Sequence, residues 1–190
     1  QFIRQQAWPA KLATVVNFPS GDLAMELVVA EIGAALSQGA DEIDCVLPYR
    51  RLLAGDCASV KTFLTQIRHA CGDSCLKVII ESGELITPQQ IIKATELVIE
   101  SGADFVKSST GKVPIGITND AARNMLTVIA AADRPVGFKA SGGVRTVAQA
   151  LELVALYEQI TGKLAQPALM RIGASTLFAE INQLLATAKA

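Results

Sequence analysis

Six short runs rich in Val, Ile, Leu and Phe recur along the chain, with starts 29–34 residues apart, and this spacing strongly constrains the fold. The runs are KLATVVNF from residue 11, DEIDCVLP from 41, CLKVIIES from 75, DFVKSST from 104, PVGFKASG from 135 and LMRIGAS from 169. Near-continuous apolar runs of this length are typical of strands that are buried on both faces. The intervals leave room for a helix after each strand. The sequence therefore predicts six βα units with parallel strands and right-handed crossovers.

The segments between these runs carry helical patterns. Residues 22–38 place apolar side chains at helical spacing before a glycine stop signal. The predicted buried stripe comprises Leu23, Leu27, Ala30, Ala34 and Leu36. Helices are predicted over 88–101 and 147–160, because each segment follows a threonine with a glutamine three residues beyond it, the signature of a capping box. Residues 2–8 resemble the end of a helix that precedes the first strand.

Repeated βα units form either a doubly wound sheet or a (β/α)8 barrel. No Gly-x-Gly-x-x-Gly turn follows the first run, so a dinucleotide-binding doubly wound sheet has no support. We therefore predict an α/β fold, a (β/α)8 TIM barrel, with six of the eight units in a single domain over residues 1–190 and two units before Gln1. If the molecule began at Gln1, the strands at 11 and 169 would be open edges, and we expect poor folding and little activity.

The overall composition excludes several classes of function. With 51% hydrophobic residues among 190, the chain can form one sizeable core. A net charge of −1 gives no electrostatic basis for nucleic acid or membrane partners, and no apolar run reaches the roughly 18–20 residues that span a bilayer. There is no secretory signal, the four cysteines lack zinc-ribbon or redox spacing, and a single histidine, His69, argues against a zinc enzyme. We predict a cytoplasmic protein with reduced thiols and no metal.

Ionisable side chains lie on one face of four neighbouring strands. Because side chains alternate along a strand, these groups oppose the aliphatic residues that must meet the helices. They are Asp44, Lys77, Lys107 and Lys139. The charged face therefore points toward the barrel axis, where unpaired charge is unfavourable.

A structural ion network is one interpretation of this face, with Asp44 compensating one lysine and the others reaching outward. Three lysines against one nearby aspartate instead favour chemistry. A lysine amine attacks a carbonyl only when neutral, which near pH 7 requires its pKa to fall about three units from about 10.4. A second ammonium about 4 Å away supplies roughly the 4 kcal/mol needed. Lys107 and Lys139, on adjacent strands, fit this device, with Lys107 as the Schiff-base nucleophile.

Glycine-rich turns after the last strands predict a phosphate site. SGGVR follows the strand at 135 and GAST lies at the end of the strand at 169, while Gly111-Lys112 adds a cation beside them. Glycines leave backbone N–H groups accessible, and helix N-termini favour anions. Each turn taken alone is more often structural, and Arg145 equally fits a surface position. Their placement at the ends of consecutive strands favours phosphate binding.

Several longer motifs resemble those of one enzyme family. TVVNFPSG, ADEIDCVLPYRRLLAG, LKVIIESGEL, GADFVKSSTGK, VGFKASGGVRT and RIGAST are similar to deoxyribose-phosphate aldolase, a class I aldolase family with a (β/α)8 fold, and the resemblance runs from about residue 11 to residue 180. It implies reversible cleavage of 2-deoxy-D-ribose 5-phosphate to D-glyceraldehyde 3-phosphate and acetaldehyde, without cofactor or metal. The expected partners are small phosphosugars and aldehydes, with a homodimer as one open oligomeric state.

The resemblance also implies residue roles. Lys107 forms the Schiff base, Lys139 lowers its pKa and transfers protons, Asp44 holds a relay water for the enamine carbon, and Lys77 lies in the same polar cluster. The implied phosphate pocket comprises Gly111, Lys112, Gly142, Gly143, Val144, Arg145, Gly173, Ser175 and Thr176.

Two departures from the family pattern leave alternatives open. The family's first two strands have no counterpart, and the terminal LLATAKA lacks the tyrosine that often assists proton transfer. The alternatives are another Schiff-base aldolase or transaldolase, a non-catalytic sugar-phosphate binder, or a remnant of an enzyme. A binder has no need of a buried lysine pair, which argues for the enzyme.

Overall fold

A computed structural model describes residues 10–187, in which six strands alternate with helices. The elements in chain order are β1 Ala13–Val16, α1 Met25–Ser37, β2 Glu42–Val46, α2 Tyr49–Leu53, α3 Cys57–Cys71, β3 Cys75–Ile79, α4 Pro88–Glu100, β4 Phe105–Lys107, α5 Asn119–Ala130, β5 Gly137–Ser141, α6 Val147–Thr161, β6 Met170–Gly173 and α7 Leu177–Thr187. Each of the six predicted runs contains one of these strands. The helix end predicted at residues 2–8 lies outside the described residues.

The six strands form one parallel sheet in chain order, β1 to β6. A contact between its distant strands shows that this sheet curls. Glu42 of β2 accepts a hydrogen bond from Arg171 Nη1 of β6 at 2.6 Å, although four spacings of about 4.8 Å would put these strands roughly 19 Å apart in a flat sheet. The fold is a partial (β/α) barrel, as predicted. Within residues 10–187, β1 and β6 each pair with one strand only.

The aliphatic face of the sheet packs against the helices and forms the core. The fully buried strand residues include Ile43, Cys45, Leu76, Val78 and Val106. They belong to the same cluster as Leu64 and Ile67 of α3. Burial of this face on the helix side leaves the charged face for the barrel interior, where the site lies.

The buried face of α1 differs from the predicted stripe. Val28 and Ile32 are fully buried, whereas Leu27, which was placed on the stripe, is 56% exposed. Apolar residues surround almost the whole of this helix, so hydrophobic spacing alone does not identify the side that meets the sheet.

Capping determines where two of the later helices begin. Both predicted capping boxes are present, at Thr87 with Gln90 and at Thr146 with Gln149. The helices that follow end within one residue of the predicted positions, at Glu100 and Thr161.

The four cysteines are free thiols, in agreement with the sequence, and His69 is exposed on α3. Between residues 10 and 187, no helix combines the length and the apolar character that crossing a bilayer requires.

Candidate active site

Asp44 lies at the centre of a buried ionic cluster. Its Oδ1 accepts a hydrogen bond from Lys77 Nζ at 2.7 Å, and its Oδ2 accepts from Lys107 Nζ at 2.8 Å and Lys139 Nζ at 2.7 Å. Strand register produces this arrangement, because Asp44 is paired with Lys77 across β2 and β3 while Lys107 is paired with Lys139 across β4 and β5. The structure thus brings together the four ionisable residues that the alternation pattern singled out.

The three lysines keep Asp44 ionised. Burial on its own raises the pKa of Asp44, but the charges of Lys107, Lys139 and Lys77 outweigh burial and hold that pKa well below its usual range. The carboxylate is therefore an anion at neutral pH and acts as a hydrogen-bond acceptor for all three amines.

Lys77 and Lys107 have opposite electrostatic environments. Burial lowers the pKa of Lys77, but Asp44 and Glu42 together raise it above its ordinary value, so Lys77 is a firmly held cation. The pKa of Lys107 is lowered, mainly by burial, with Asp44 opposing the shift and Lys139 and Lys77 adding to it. Lys139 was predicted to cause this depression of the pKa, whereas burial contributes more. Lys107 is thus the lysine of this pair that is shifted toward the neutral, nucleophilic form.

Two charged residues outside the predicted set of site residues complete the cluster. Glu42 contacts Lys77 Nζ at 2.7 Å and Arg171 Nη1 at 2.6 Å. The Arg171 guanidinium lies over the Phe105 ring, 4.7 Å from its centroid. Glu42 could have been predicted from the sequence, because it lies two residues before Asp44 and therefore on the same face of the strand. The contact between Glu42 and Arg171 requires a curved sheet, and the alternation of side chains along a strand does not predict curvature.

A cavity of about 420 Å³ opens above this cluster at the carboxyl ends of the strands. Lys107 and Lys139 line it, together with the ends of β4, β5 and β6 and the loops that follow them. All nine residues of the predicted phosphate pocket line the same cavity: Gly111, Lys112, Gly142, Gly143, Val144, Arg145, Gly173, Ser175 and Thr176. Asp44 and Lys77 lie behind the two lysines that reach its wall.

The rim of this cavity is suited to an anion. Lys112 and Arg145 are exposed there. Gly142 and Gly143 both have φ of +83°, the left-handed region that favours glycine. Within residues 10–187, the backbone N–H groups of Gly143, Val144 and Ser175 have no hydrogen-bond acceptor. Unpaired N–H groups with two cations provide the donors that a phosphate requires.

No three His, Cys, Asp or Glu side chains between residues 10 and 187 are grouped so that they could hold a metal ion.

Residues 3–180 match the sequence model of the DeoC/LacD family aldolases. A solved structure of a "putative deoxyribose-phosphate aldolase" from Coccidioides immitis is 29% identical, with a TM-score of 0.82; the match covers 92% of this chain and 64% of that one. The chain therefore spans less than two thirds of that relative's length. "QR15, an Aldolase" is 26% identical with a TM-score of 0.79, over 94% of this chain and 75% of that chain.

A tetrameric deoxyribose phosphate aldolase from Aeropyrum pernix extends the likeness in fold. It is 21% identical with a TM-score of 0.77, and the match covers 98% of this chain and 71% of that one. At this identity the likeness concerns the fold alone. The family match extends over nearly the whole chain and includes every residue of the cluster and the cavity rim, so the chain belongs to the DeoC/LacD family aldolases.

Proposed function

We propose that this protein is a class I aldolase that reversibly cleaves 2-deoxy-D-ribose 5-phosphate to D-glyceraldehyde 3-phosphate and acetaldehyde through a Schiff base on Lys107. One observation carries the proposal: a buried lysine with a lowered pKa lies in the same cavity as an unpaired set of anion donors. This juxtaposition fits a substrate with a carbonyl at one end and a phosphate at the other.

In the proposed reaction, the neutral Lys107 amine attacks C1 of the open-chain sugar. The resulting carbinolamine loses water to form an iminium ion. The iminium accepts the electron pair of the C2–C3 bond as that bond breaks, while the C3 hydroxyl gives up its proton and becomes the aldehyde of glyceraldehyde 3-phosphate. The enamine that remains takes a proton at C2, and hydrolysis then releases acetaldehyde and regenerates Lys107.

The neighbours of Lys107 have distinct proposed roles. The Asp44 anion, 2.8 Å from Lys107 Nζ, stabilises the iminium charge, and it orients the relay water that the family resemblance implies for proton transfer at C2. Lys139, which shares Oδ2 of Asp44, lowers the pKa of Lys107 and donates or accepts protons. Lys77 stays charged and holds Oδ1 of Asp44, which leaves Oδ2 directed at the reacting amine.

The phosphate is proposed to lie at the cavity rim. Lys112 and Arg145 supply positive charge, and Gly143, Val144 and Ser175 supply backbone N–H groups. Fixing the phosphate there would orient the sugar with its carbonyl carbon toward Lys107.

The homodimer and the cytoplasmic location expected from the sequence remain predictions, and light scattering on the full chain would test the former.

Borohydride trapping tests the assignment directly. The protein is incubated with acetaldehyde, reduced, digested and mapped by mass spectrometry. We expect a stable adduct at Lys107 that is lost in Lys107→Met and retained in Lys61→Met, a matched change of an exposed lysine. A folded protein that forms no adduct, or one labelled only at surface lysines, would contradict the mechanism and favour the sugar-phosphate binder.

A further inference from the structure

Glu81, two residues beyond the end of β3, is a fully buried carboxylate with no cationic partner among the described residues. Its φ is +54°, in the left-handed region that non-glycine residues seldom adopt. Burying a carboxylate is unfavourable unless hydrogen bonds satisfy it, and uncommon backbone conformations of this kind cluster at functional sites.

The donors to Glu81 all come from the loop after β4. Ser109 Oγ donates to Oε1 at 2.5 Å, and Thr110 Oγ1 donates to Oε2 at 2.5 Å. The backbone N–H of Thr110 is shared between both oxygens at 3.2 Å. Ser109 and Thr110 line the candidate phosphate cavity, whereas Glu81 does not. The carboxylate therefore lies directly behind the cavity wall, separated from it by two hydroxyl groups.

This arrangement determines the direction of the remaining hydrogen bonds in residues 109–112, here called the 109–112 segment. A hydroxyl has one proton, so a hydroxyl that donates to Glu81 is left to act as an acceptor. Ser109 Oγ accepts from Gly111 N at 3.0 Å, and Thr110 Oγ1 accepts from Lys112 N at 3.0 Å. Glu81 thus organises every backbone N–H from Thr110 to Lys112. The 109–112 segment consequently offers a phosphate the Lys112 ammonium rather than its amides.

The 109–112 segment also supports the neighbouring glycine turn. A Cβ on Gly142 would lie 2.9 Å from Cβ and Oγ of Ser109, so the Gly142 backbone is in close contact with the Ser109 side chain. The loop continues to Ile117, whose N–H donates to the Gly142 carbonyl at 2.9 Å. A displacement of the segment would therefore be transmitted to the turn that carries the unpaired N–H groups of Gly143 and Val144.

We propose that Glu81 is a positioning residue for the phosphate end of the site, one that fixes the 109–112 segment and, through it, Lys112 and the Gly142–Gly143 turn. This inference rests on the proposed function, since it concerns the same phosphate site. It assigns Glu81 no contact with the substrate and no part in bond cleavage.

Charge and positioning predict opposite effects of Glu81→Gln on phosphate affinity. Removing a nearby negative charge should, by Coulomb's law alone, tighten the binding of an anion. Loss of positioning should weaken phosphate binding. The carboxylate accepts hydroxyl protons on both of its oxygens, whereas glutamine has one accepting oxygen and one NH2 group that can only donate. We expect the Kd for inorganic phosphate to rise by about tenfold, because misplacement of the segment should cost roughly one hydrogen bond to the phosphate.

Titration calorimetry with inorganic phosphate on the full chain provides the measurement. Glu84→Gln is the matched control, because it removes one negative charge from the same loop and the Glu84 side chain makes no hydrogen bond or ion pair among the described residues. The control should bind phosphate as tightly as the wild type or slightly more tightly, because it loses a negative charge without losing a side-chain contact. Unchanged or tighter phosphate binding by a folded Glu81→Gln variant would overturn the proposal.

A second variant addresses the case in which Glu81→Gln does not fold. Thr110→Val removes one of the two hydroxyl groups and leaves the carboxylate in place, and we expect weaker phosphate binding here as well. Where both variants fold, the double variant should bind about as weakly as Glu81→Gln alone, because the two changes break one network. Independent, additive effects, or normal binding by Thr110→Val, would contradict the role of Glu81.

Turnover supplies a readout that a general structural defect would not produce. Glu81→Gln should raise KM for 2-deoxyribose 5-phosphate and leave cleavage of unphosphorylated 2-deoxyribose at the wild-type rate. Equal losses on both sugars would argue against the proposal. Phosphate binding requires no chemistry and acetaldehyde trapping requires no phosphate, so a failure of the Lys107 mechanism is distinguishable from a failure of this inference.

Discussion

At the scale of single residues, the number of counter-charges around each lysine separates their roles. Lys77 contacts two carboxylates, Glu42 and Asp44, and its pKa is raised. Lys107 has only a shared contact with one oxygen of Asp44, and burial lowers its pKa. The same side-chain type thus serves as a fixed cation on one strand and as a candidate nucleophile on the next.

Replacing Lys139 with methionine should raise the pKa of Lys107, because the positive charge of Lys139 is one of the causes that lower it. The neutral fraction of Lys107 near pH 7 then falls about tenfold for each unit of pKa. We expect trapping by acetaldehyde and borohydride to require a higher pH. The shift should be partial, since burial remains. A pH profile that coincides with that of the wild type would exclude Lys139 as a modulator, and the exposed Lys163→Met serves as control.

Replacing Lys107 with methionine should abolish adduct formation without destabilising the protein. A lysine whose folded pKa is lowered opposes folding at every pH below its unfolded pKa of about 10.4, because the folded state disfavours the charged form that the unfolded chain holds. Methionine removes this penalty, and Asp44 keeps Lys77 and Lys139 as partners. We expect the free energy of unfolding in urea at pH 7 to stay equal or rise by about 1 kcal/mol. A loss of several kcal/mol would mean that Lys107 is mainly a structural ion.

At the scale of elements, much of this fold follows from local pattern. Six apolar runs located the strands, and two capping boxes located α4 and α6. Alternation also placed Asp44 and three lysines on one face, since strand period is a local property. The prediction of the buried face of α1 was wrong, because a helix with apolar residues on nearly all sides does not indicate which side packs against the sheet.

The parts of the site that escaped prediction depend on non-local geometry. The pairing of Glu42 with Arg171 requires strands four places apart to approach each other, which only sheet curvature provides. The contacts of Glu81 with Ser109 and Thr110 join the loops after β3 and β4. Neither the period of a strand nor the spacing of glycines specifies which loop residues meet.

Gly137, at the start of β5, provides a prediction at this scale. A Cβ there would lie 2.3 Å from two ring atoms of Phe105, and that ring is buried and has the Arg171 guanidinium over its face. We expect Gly137→Ala to lower the free energy of unfolding by about 2 kcal/mol, as overpacking in a core does. Chemical denaturation measures this change.

Gly33→Ala is the matched control for that substitution. Gly33 lies in α1, where an added Cβ meets nothing within 4 Å. Alanine in a helix interior should stabilise the protein by roughly 0.5–1 kcal/mol. Equal stability of the two variants would show that the close approach of β5 to Phe105 is unimportant.

At the scale of the whole molecule, the ionic cluster joins distant parts of the chain. Glu42 and Arg171 are 129 positions apart, and Asp44 and Lys139 are 95 apart. The cluster therefore forms only when β2 through β6 are assembled. Since its charges are buried, partial assembly would leave them unpaired, and we expect the cluster to make unfolding of this part of the barrel cooperative.

Acid unfolding tests this coupling through Glu42. Arg171 and Lys77 outweigh burial and lower the pKa of Glu42 in the folded state. A carboxyl group with a depressed folded pKa contributes stability that is present above its unfolded pKa, about 4.3, and is lost as pH falls through the folded value. Glu42→Gln should therefore be less stable than the wild type by about 2 kcal/mol at pH 7. The gap should narrow as pH falls below about 4.3 and close once pH is below the folded pKa, because a protonated glutamate and a glutamine both lack the charge.

Urea unfolding at several pH values from 7 down to about 3 measures this gap. Asp22→Asn is the control, since Asp22 pairs with Arg50 on the surface and exposed pairs contribute little. Its stability should follow the wild-type curve throughout. A gap for Glu42→Gln that stays constant with pH would mean that Glu42 contributes through packing alone. Convergence at low pH would instead show that charge pairing across the barrel interior, between strands at opposite sides of the sheet, stabilises the fold that carries the site.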